Sequence, residues 1–117
     1  MRGFRDEGAL WDYMRPRMLG RWERVEVIHP EGMPDIFGTH GGYSHWIERK
    51  VGSSYSVRKM MEPGQIEFFD WLDKSTDDVG LWVVVGGDNN KSVTWFRWPD
   101  LDKPALPPFW EALYNRK

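Results

Sequence analysis

The segment Leu81–Val85 constrains the fold more than any other part of this chain. It is an uninterrupted apolar run of strand length, LWVVV, between polar and glycine-rich sequence. A strand that is apolar on both faces is typical of the centre of a sheet that is covered on both sides. The chain has 117 residues, which suits one compact domain rather than two. We therefore expect a single α/β domain over residues 1–117, built around one sheet.

Three segments have the pattern of helices. In the first, apolar residues from Leu10 to Met18 share one helical face, and Pro16 predicts a kink or an end. The second covers residues 63–74 and begins with a proline, which suits the first turn of a helix. A short third helix is expected at residues 109–114.

The remaining segments are predicted to be strands. Before the second helix, the alternation of apolar and polar residues predicts strands at 21–28, 33–37 and 45–51. The glycines between residues 38 and 42 predict a flexible connection, and the short connections favour an antiparallel meander. A last strand is expected at residues 92–98. The order is therefore α-β-β-β-α-β, followed by one strand and a short helix.

Composition excludes several kinds of protein. The chain has no cysteine, which excludes disulfides, thiolate zinc sites and cysteine nucleophiles. No apolar run approaches the length of a membrane span, and the N-terminus lacks the apolar region of a secretory signal. We therefore expect a cytoplasmic protein without a membrane partner. The net charge is only −2, but residues 49–59 carry four basic residues and no acid, which allows a local surface for a polyanion.

The strand predicted at residues 45–51 presents two different faces. Residues two apart in a strand point to the same side, so Glu48 and Lys50 project together. Ile47 and Val51 point to the opposite, core side, with Arg49 between them.

Asp35 stands at the start of the preceding predicted strand, and a short loop lets it lie beside Glu48. Two carboxylates and the ammonium of Lys50 would then converge. A divalent cation such as Mg²⁺ relieves the repulsion between neighbouring carboxylates and orients a phosphate. This group suits phosphodiester hydrolysis, and an ordinary cross-strand salt bridge is the alternative.

These residues resemble a known motif. Pro34-Asp35 followed by Glu48-Arg49-Lys50 resembles the PD-(D/E)xK signature of the restriction-endonuclease-like nuclease superfamily. The ordered set is similar to the phage-type VRR-NUC and Holliday-junction-resolvase-like endonucleases. The matching segments are Leu10-Trp11, residues 22–26, 32–35 and 46–50, Gln65, and the apolar strand. The resemblance implies a restriction-endonuclease-like core over about residues 6–86, with a central mixed sheet flanked by helices. The C-terminal strand and short helix expected from the pattern follow this core, over residues 91–117.

The resemblance also implies roles for single residues. Asp35 and Glu48 match the metal ligands, Lys50 matches the catalytic lysine, and the carbonyl of Arg49 is a further candidate to face the metal. Gln65 matches the glutamine on the helix after the strand. Its helical spacing places it on the inward face of that helix, where the lysine is a candidate partner. A helix end open to water is the alternative for Gln65.

Nucleases of this type usually carry one more acid upstream. The spacing places Glu7 on the core-facing side of the first helix. It is the preferred candidate because, in the resolvase-like nucleases that the chain resembles, a glutamate on a helix holds this role. Glu26, on the first predicted strand, is the second candidate. Both remain candidate metal ligands together with Asp35 and Glu48. The implied cofactor is Mg²⁺, with Mn²⁺ as a substitute.

The implied function is a metal-dependent DNA endonuclease of phage type, specific for branched or junction DNA. A nicking, flap or single-strand nuclease is the alternative within the same class. A non-catalytic DNA-binding module with a nuclease fold is the alternative of another class. Four-way junctions need two active sites, so we expect a homodimer, in the host cytoplasm if the protein is phage-encoded. The residues expected to contact phosphates are Arg21, Arg24, Arg49, Arg58 and Lys59.

Overall fold

The structure, a computed structural model, describes residues 2–25 and 32–110. The helices of this part are α1 (Glu7–Met14), α2 (Val57–Met60) and α3 (Pro63–Ser75), with 3-10 turns at Arg15–Arg17 and Ser54–Ser56. The strands are β1 (Arg21–Arg24), β2 (Ile36–His40), β3 (Tyr43–Gly52), β4 (Val79–Gly87) and β5 (Val93–Arg97). They form one sheet in the order β1-β2-β3-β4-β5.

The sheet is mixed. β1, β2 and β3 form the predicted antiparallel meander. β4 lies parallel to β3, so the chain crosses over between them through α2 and α3. β5 pairs antiparallel with β4 at the edge of the sheet. The structure thus confirms the α/β class, the order α-β-β-β-α-β and the mixed sheet with flanking helices.

The apolar strand β4 separates two hydrophobic cores. Trp82 and Val84 belong to the core beneath α1, while Leu81, Val83 and Val85 belong to the core beneath α3. Alternate residues of a strand point to opposite faces. Both faces of β4 are covered by a core, so all five side chains are buried. The prediction of a strand covered on both sides is confirmed.

Helix α1 begins and ends where local chemistry places its boundaries. The Asp6 side chain accepts a hydrogen bond of 2.8 Å from the backbone N–H of Ala9, which caps the first turn. The helix ends at Met14, and the following 3-10 turn contains Pro16. The predicted end near this proline is confirmed.

No helix in the described residues is long and apolar enough to cross a membrane.

The predicted bounds of the second strand are wrong. β2 begins at Ile36 rather than at residue 33, and it continues through Gly38 to His40, where a flexible connection was expected. Gly38 pairs with Trp22 on β1, and a Cβ at Gly38 would collide with the Trp22 indole ring. This glycine therefore serves close packing within a strand. Only Gly41 and Gly42 form the turn between β2 and β3. Their φ angles are +64° and +83°, which favour glycine.

Other segments also differ from the prediction. β3 extends two residues earlier than expected, and β4 continues beyond the apolar run through Gly86 and Gly87. The short helix α2 was not predicted. Phe109 lies in a turn and Trp110 forms an isolated bridge with Met18, so the third helix does not begin at residue 109. The rest of that helix and residues 26–28 of the first strand lie outside the described residues.

A buried polar pair lies in the core beneath α1. The indole Nε1 of Trp82 donates a hydrogen bond of 3.1 Å to Nδ1 of His45. Burial lowers the pKa of His45, which favours the neutral ring that this bond requires. His45 is therefore a structural residue of the core.

Candidate active site

The pairing of β2 with β3 brings the first two acids together. Ile36 is paired with Ile47, so Asp35, one residue before β2, comes level with Glu48. The two carboxylates are close enough for the charge of Asp35 to raise the pKa of Glu48.

Glu48 is a buried carboxyl group in the middle of this site. Only 5% of the residue is exposed. Burial, and after it the charge of Asp35, raises the pKa of Glu48 to about 8. Lys50 acts in the opposite direction, with its Nζ 3.8 Å from Glu48 Oε2. Without a further cation, Glu48 is therefore mostly protonated at neutral pH.

Gln65 connects Glu48 to helix α3. Its Nε2 donates a hydrogen bond of 3.0 Å to Glu48 Oε2. Its Oε1 accepts a bond of 2.9 Å from the backbone N–H of Glu62, which caps the first turn of α3. The inward position predicted for Gln65 is thus observed. The candidate partner was wrong, because the amide bonds the carboxylate rather than Lys50.

Asp35 is held from the other side by Arg49. The Nε and Nη2 atoms of Arg49 lie 3.1 and 2.7 Å from Asp35 Oδ2. The second carboxylate oxygen, Oδ1, is buried and has no hydrogen-bond partner in the described part of the protein. Arg49 is only 6% exposed. The structure thus contradicts the expectation that Arg49 belongs to an open phosphate-binding surface, because its guanidinium is enclosed beside Asp35.

Glu7 comes near the same site at the start of α1. Its backbone carbonyl accepts a bond of 2.8 Å from Arg49 Nη1. Partial burial, and next the charge of Asp35, raises the pKa of Glu7. Its side chain is exposed rather than core-facing as predicted, since Leu10 and Trp11 take the buried face of the helix. Glu26 lies outside the described residues.

The described acids do not form a closed metal cage. Within residues 2–25 and 32–110, no three His, Asp or Glu side chains are grouped so that they could hold one cation. A ligand set in which Glu7 joins Asp35 and Glu48 directly is therefore not observed. Mg²⁺, however, usually takes one or two carboxylates and completes its shell with water and phosphate. Asp35 offers a buried oxygen without a partner, and Glu48 offers a carboxyl whose ionisation needs a nearby cation, so this pair fits Mg²⁺ or Mn²⁺.

The other predicted phosphate contacts lie on the surface. Their side chains are exposed on two elements next to the site, β1 and α2. One of them, Arg58, has its Nη2 3.8 Å from Asp102 Oδ1, and both side chains are largely exposed. An exposed pair of this kind contributes little to stability. The four predicted phosphate contacts on β1 and α2 are Arg21, Arg24, Arg58 and Lys59.

The role of Arg49 as a link between elements was missed in the sequence. The signal that could have revealed it is its position between Ile47 and Val51, on the face of the strand that points to the core. A charged residue at such a position requires a buried partner.

Comparison with known proteins finds a likeness in structure but no match in sequence. No protein-family model matches the chain, and no curated protein matches it. Among solved structures, the chain is similar to Hjc of Archaeoglobus fulgidus, a Holliday junction resolvase from an archaeal hyperthermophile. The two are 18% identical, the match covers 78% of this chain and 74% of the Hjc chain, and the TM-score is 0.45.

Proposed function

We propose that this protein is a metal-dependent DNA endonuclease that hydrolyses phosphodiester bonds in branched or junction DNA, of the phage type. The observation that carries the proposal is the pair Asp35 and Glu48, which the strand pairing brings level with each other, with Lys50 beside Glu48. Two partly uncompensated carboxylates and a lysine at one point are costly for stability. They are suited to a site where a cation and a phosphate complete the charge balance.

Asp35 and Glu48 would hold the cation, with Glu7 near enough to act on it through its charge or a water. When bound, Mg²⁺ or Mn²⁺ supplies Lewis-acid polarisation of a phosphate oxygen. Glu48 must lose its proton to serve as a ligand, and Gln65 and Lys50 favour its ionised form. The bond from Gln65 also keeps the carboxylate oriented at the site.

Lys50 is the residue best placed to act on the phosphate. Its side chain is largely buried, and its Nζ is 3.8 Å from Glu48 Oε2, beyond a strong hydrogen bond. The ammonium thus keeps donors for a phosphate oxygen or an attacking water. It would stabilise the negative charge that develops during cleavage.

The preference for branched DNA and a homodimeric assembly follow from the resemblance of the motifs to resolvase-like endonucleases. The exposed Arg21, Arg24, Arg58 and Lys59 would contact the phosphate backbone on either side of the site. Phosphate contacts of this kind supply affinity and register for DNA without reading its sequence.

The test compares the wild type with Lys50→Met and Asp35→Asn on labelled junction, flap, nicked, duplex and single-stranded DNA, in Mg²⁺, Mn²⁺ or EDTA. We expect cleavage to fall by about 100-fold or more in both variants, while DNA affinity changes by less than about threefold. Lys103→Met, which changes an exposed lysine, is the matched control.

Normal cleavage by both variants would show that the site is assigned wrongly. Wild-type protein that binds DNA but does not cut it in either metal would be a non-catalytic DNA-binding module. Cleavage of flap, nicked or single-stranded DNA without junction cleavage would replace the proposed substrate with the alternative nuclease class.

A further inference from the structure

Arg49 points away from the residues on either side of it in the motif. Glu48 and Lys50 project to the α3 face of the sheet, where Gln65 bonds Glu48. Arg49 projects to the α1 face and is 6% exposed. A buried guanidinium is stable only when its donors are paired, so the contacts of this side chain define what it does.

Three donors of Arg49 connect three parts of the fold. Nε and Nη2 both bond Asp35 Oδ2, at 3.1 and 2.7 Å, and Nη1 bonds the backbone carbonyl of Glu7 at 2.8 Å. A planar guanidinium can make these bonds at once in fixed directions, whereas an ammonium cannot. Arg49 therefore joins β3 to the segment before β2 and to the first turn of α1.

This link determines which oxygen of Asp35 remains available. Both bonds from Arg49 go to Oδ2, so rotation of the carboxylate would break them, and Oδ1 is left buried without a hydrogen-bond partner in the described residues. The same guanidinium fixes the backbone that carries the Glu7 side chain. Gln65 restrains Glu48 in a similar way from the opposite face.

We propose that Arg49 is a positioning residue of this site, which fixes Asp35 and the start of α1 so that Asp35 Oδ1 is presented to the metal ion. It is not a contact to DNA phosphate. This inference rests on the proposed function, because it assigns Arg49 to the metal-binding step of that same site.

The test uses Arg49→Lys, which keeps the charge, and Arg49→Gln, which keeps a hydrogen-bond donor. Titration calorimetry with Mn²⁺ in the absence of DNA measures metal affinity, and binding of labelled junction DNA in EDTA measures DNA affinity. We expect Mn²⁺ affinity to fall by about tenfold or more in both variants, while DNA affinity in EDTA stays within about twofold of the wild type. Arg97→Lys makes the same chemical change at an exposed arginine and is the control.

Several results would overturn the inference. Wild-type Mn²⁺ affinity in both variants would do so, as would a loss of DNA affinity in EDTA with normal metal affinity, which marks a phosphate contact. If neither variant melts cooperatively, Arg49 serves the fold rather than the site. If the wild type itself neither binds Mn²⁺ nor cuts DNA, the proposed function fails and this role fails with it. If only the inference about Arg49 is contradicted, while the wild type binds Mn²⁺ and cuts DNA, the proposed function still holds.

Discussion

Gln65 Nε2 lies 3.0 Å from Glu48 Oε2, and this bond joins the first turn of α3 to the middle of β3. The other end of the same amide caps α3 by accepting the backbone N–H of Glu62. One side chain therefore couples the start of a helix to the orientation of a buried carboxyl group.

Replacing Gln65 with Met should affect both the stability of α3 and the ionisation of Glu48. Loss of the cap should lower the free energy of unfolding by about 1 kcal/mol. Loss of the amide donor should raise the pKa of Glu48 further, so that cleavage reaches half of its maximum at a higher pH. Denaturant unfolding and a pH profile of cleavage measure the two effects. Glu67→Met, at an exposed position of the same helix, should leave the pH profile unchanged. An unchanged profile for Gln65→Met would contradict the prediction.

The metal-free protein should lose stability as the pH rises from about 4.5 to about 8. In that window an unfolded Glu48, near its ordinary pKa of 4.5, has lost its proton, while the folded protein keeps it with a pKa of about 8. The folded state then binds more protons, so stability falls with pH, by a few kcal/mol in total. Thermal melts of the wild type and Glu48→Gln over this pH range measure the effect. Both proteins contain Glu7, so its smaller contribution cancels in the difference between them. Parallel curves for the two proteins would show that Glu48 does not titrate in this way.

Mg²⁺ should stabilise the protein more at about pH 8.5 than at about pH 6. Carboxylates must be ionised to bind a metal, and Glu48 gives up its proton only near pH 8 in the metal-free protein. The measurement is the rise in melting temperature on addition of millimolar Mg²⁺ at each pH. Asp35→Asn should abolish most of this rise, because it removes the charge of the second ligand. A rise of equal size at both pH values would contradict the prediction.

Arg58 and Lys59 should contribute to DNA affinity through counterion release. Replacing either with Met should lower the slope of log affinity against log salt concentration by about 0.9, the value for one phosphate contact with duplex DNA. Fluorescence anisotropy in EDTA over a range of salt measures this slope. Arg97→Met, an exposed arginine on the edge strand, is the control. A slope that matches the wild type in both variants would remove α2 from the DNA-binding surface.

Two glycine-to-alanine substitutions should have opposite signs. A Cβ at Gly80 would collide with His45 and lie 2.7 Å from Trp82 Nε1, so Gly80→Ala should destabilise the protein by about 1–3 kcal/mol. Gly8 lies on α1 with its nearest neighbour atom at 3.4 Å, so Gly8→Ala should stabilise it by about 0.5–1 kcal/mol. Urea unfolding measures both. A stable Gly80→Ala protein would show that the Trp82–His45 pair can move apart.

Local pattern determined much of this protein. The apolar run from Leu81 to Val85 was sufficient to predict a central strand, because a strand this apolar is stable only between two covering layers. The two-residue period of strands placed Glu48 and Lys50 on one face, and the helical period placed Gln65 toward the sheet. These properties are set by the backbone geometry of each element and need no knowledge of its neighbours.

Only the tertiary structure decided which groups bond one another. The register of β2 against β3 set Asp35 level with Glu48, and the packing of α1 against the sheet placed the Glu7 carbonyl within reach of Arg49. The partner of Gln65 was decided in the same way. Contacts of this kind join residues that are 14 to 42 positions apart in the chain. Periodicity fixes the side on which a residue lies, but the atom it meets depends on how separate elements pack.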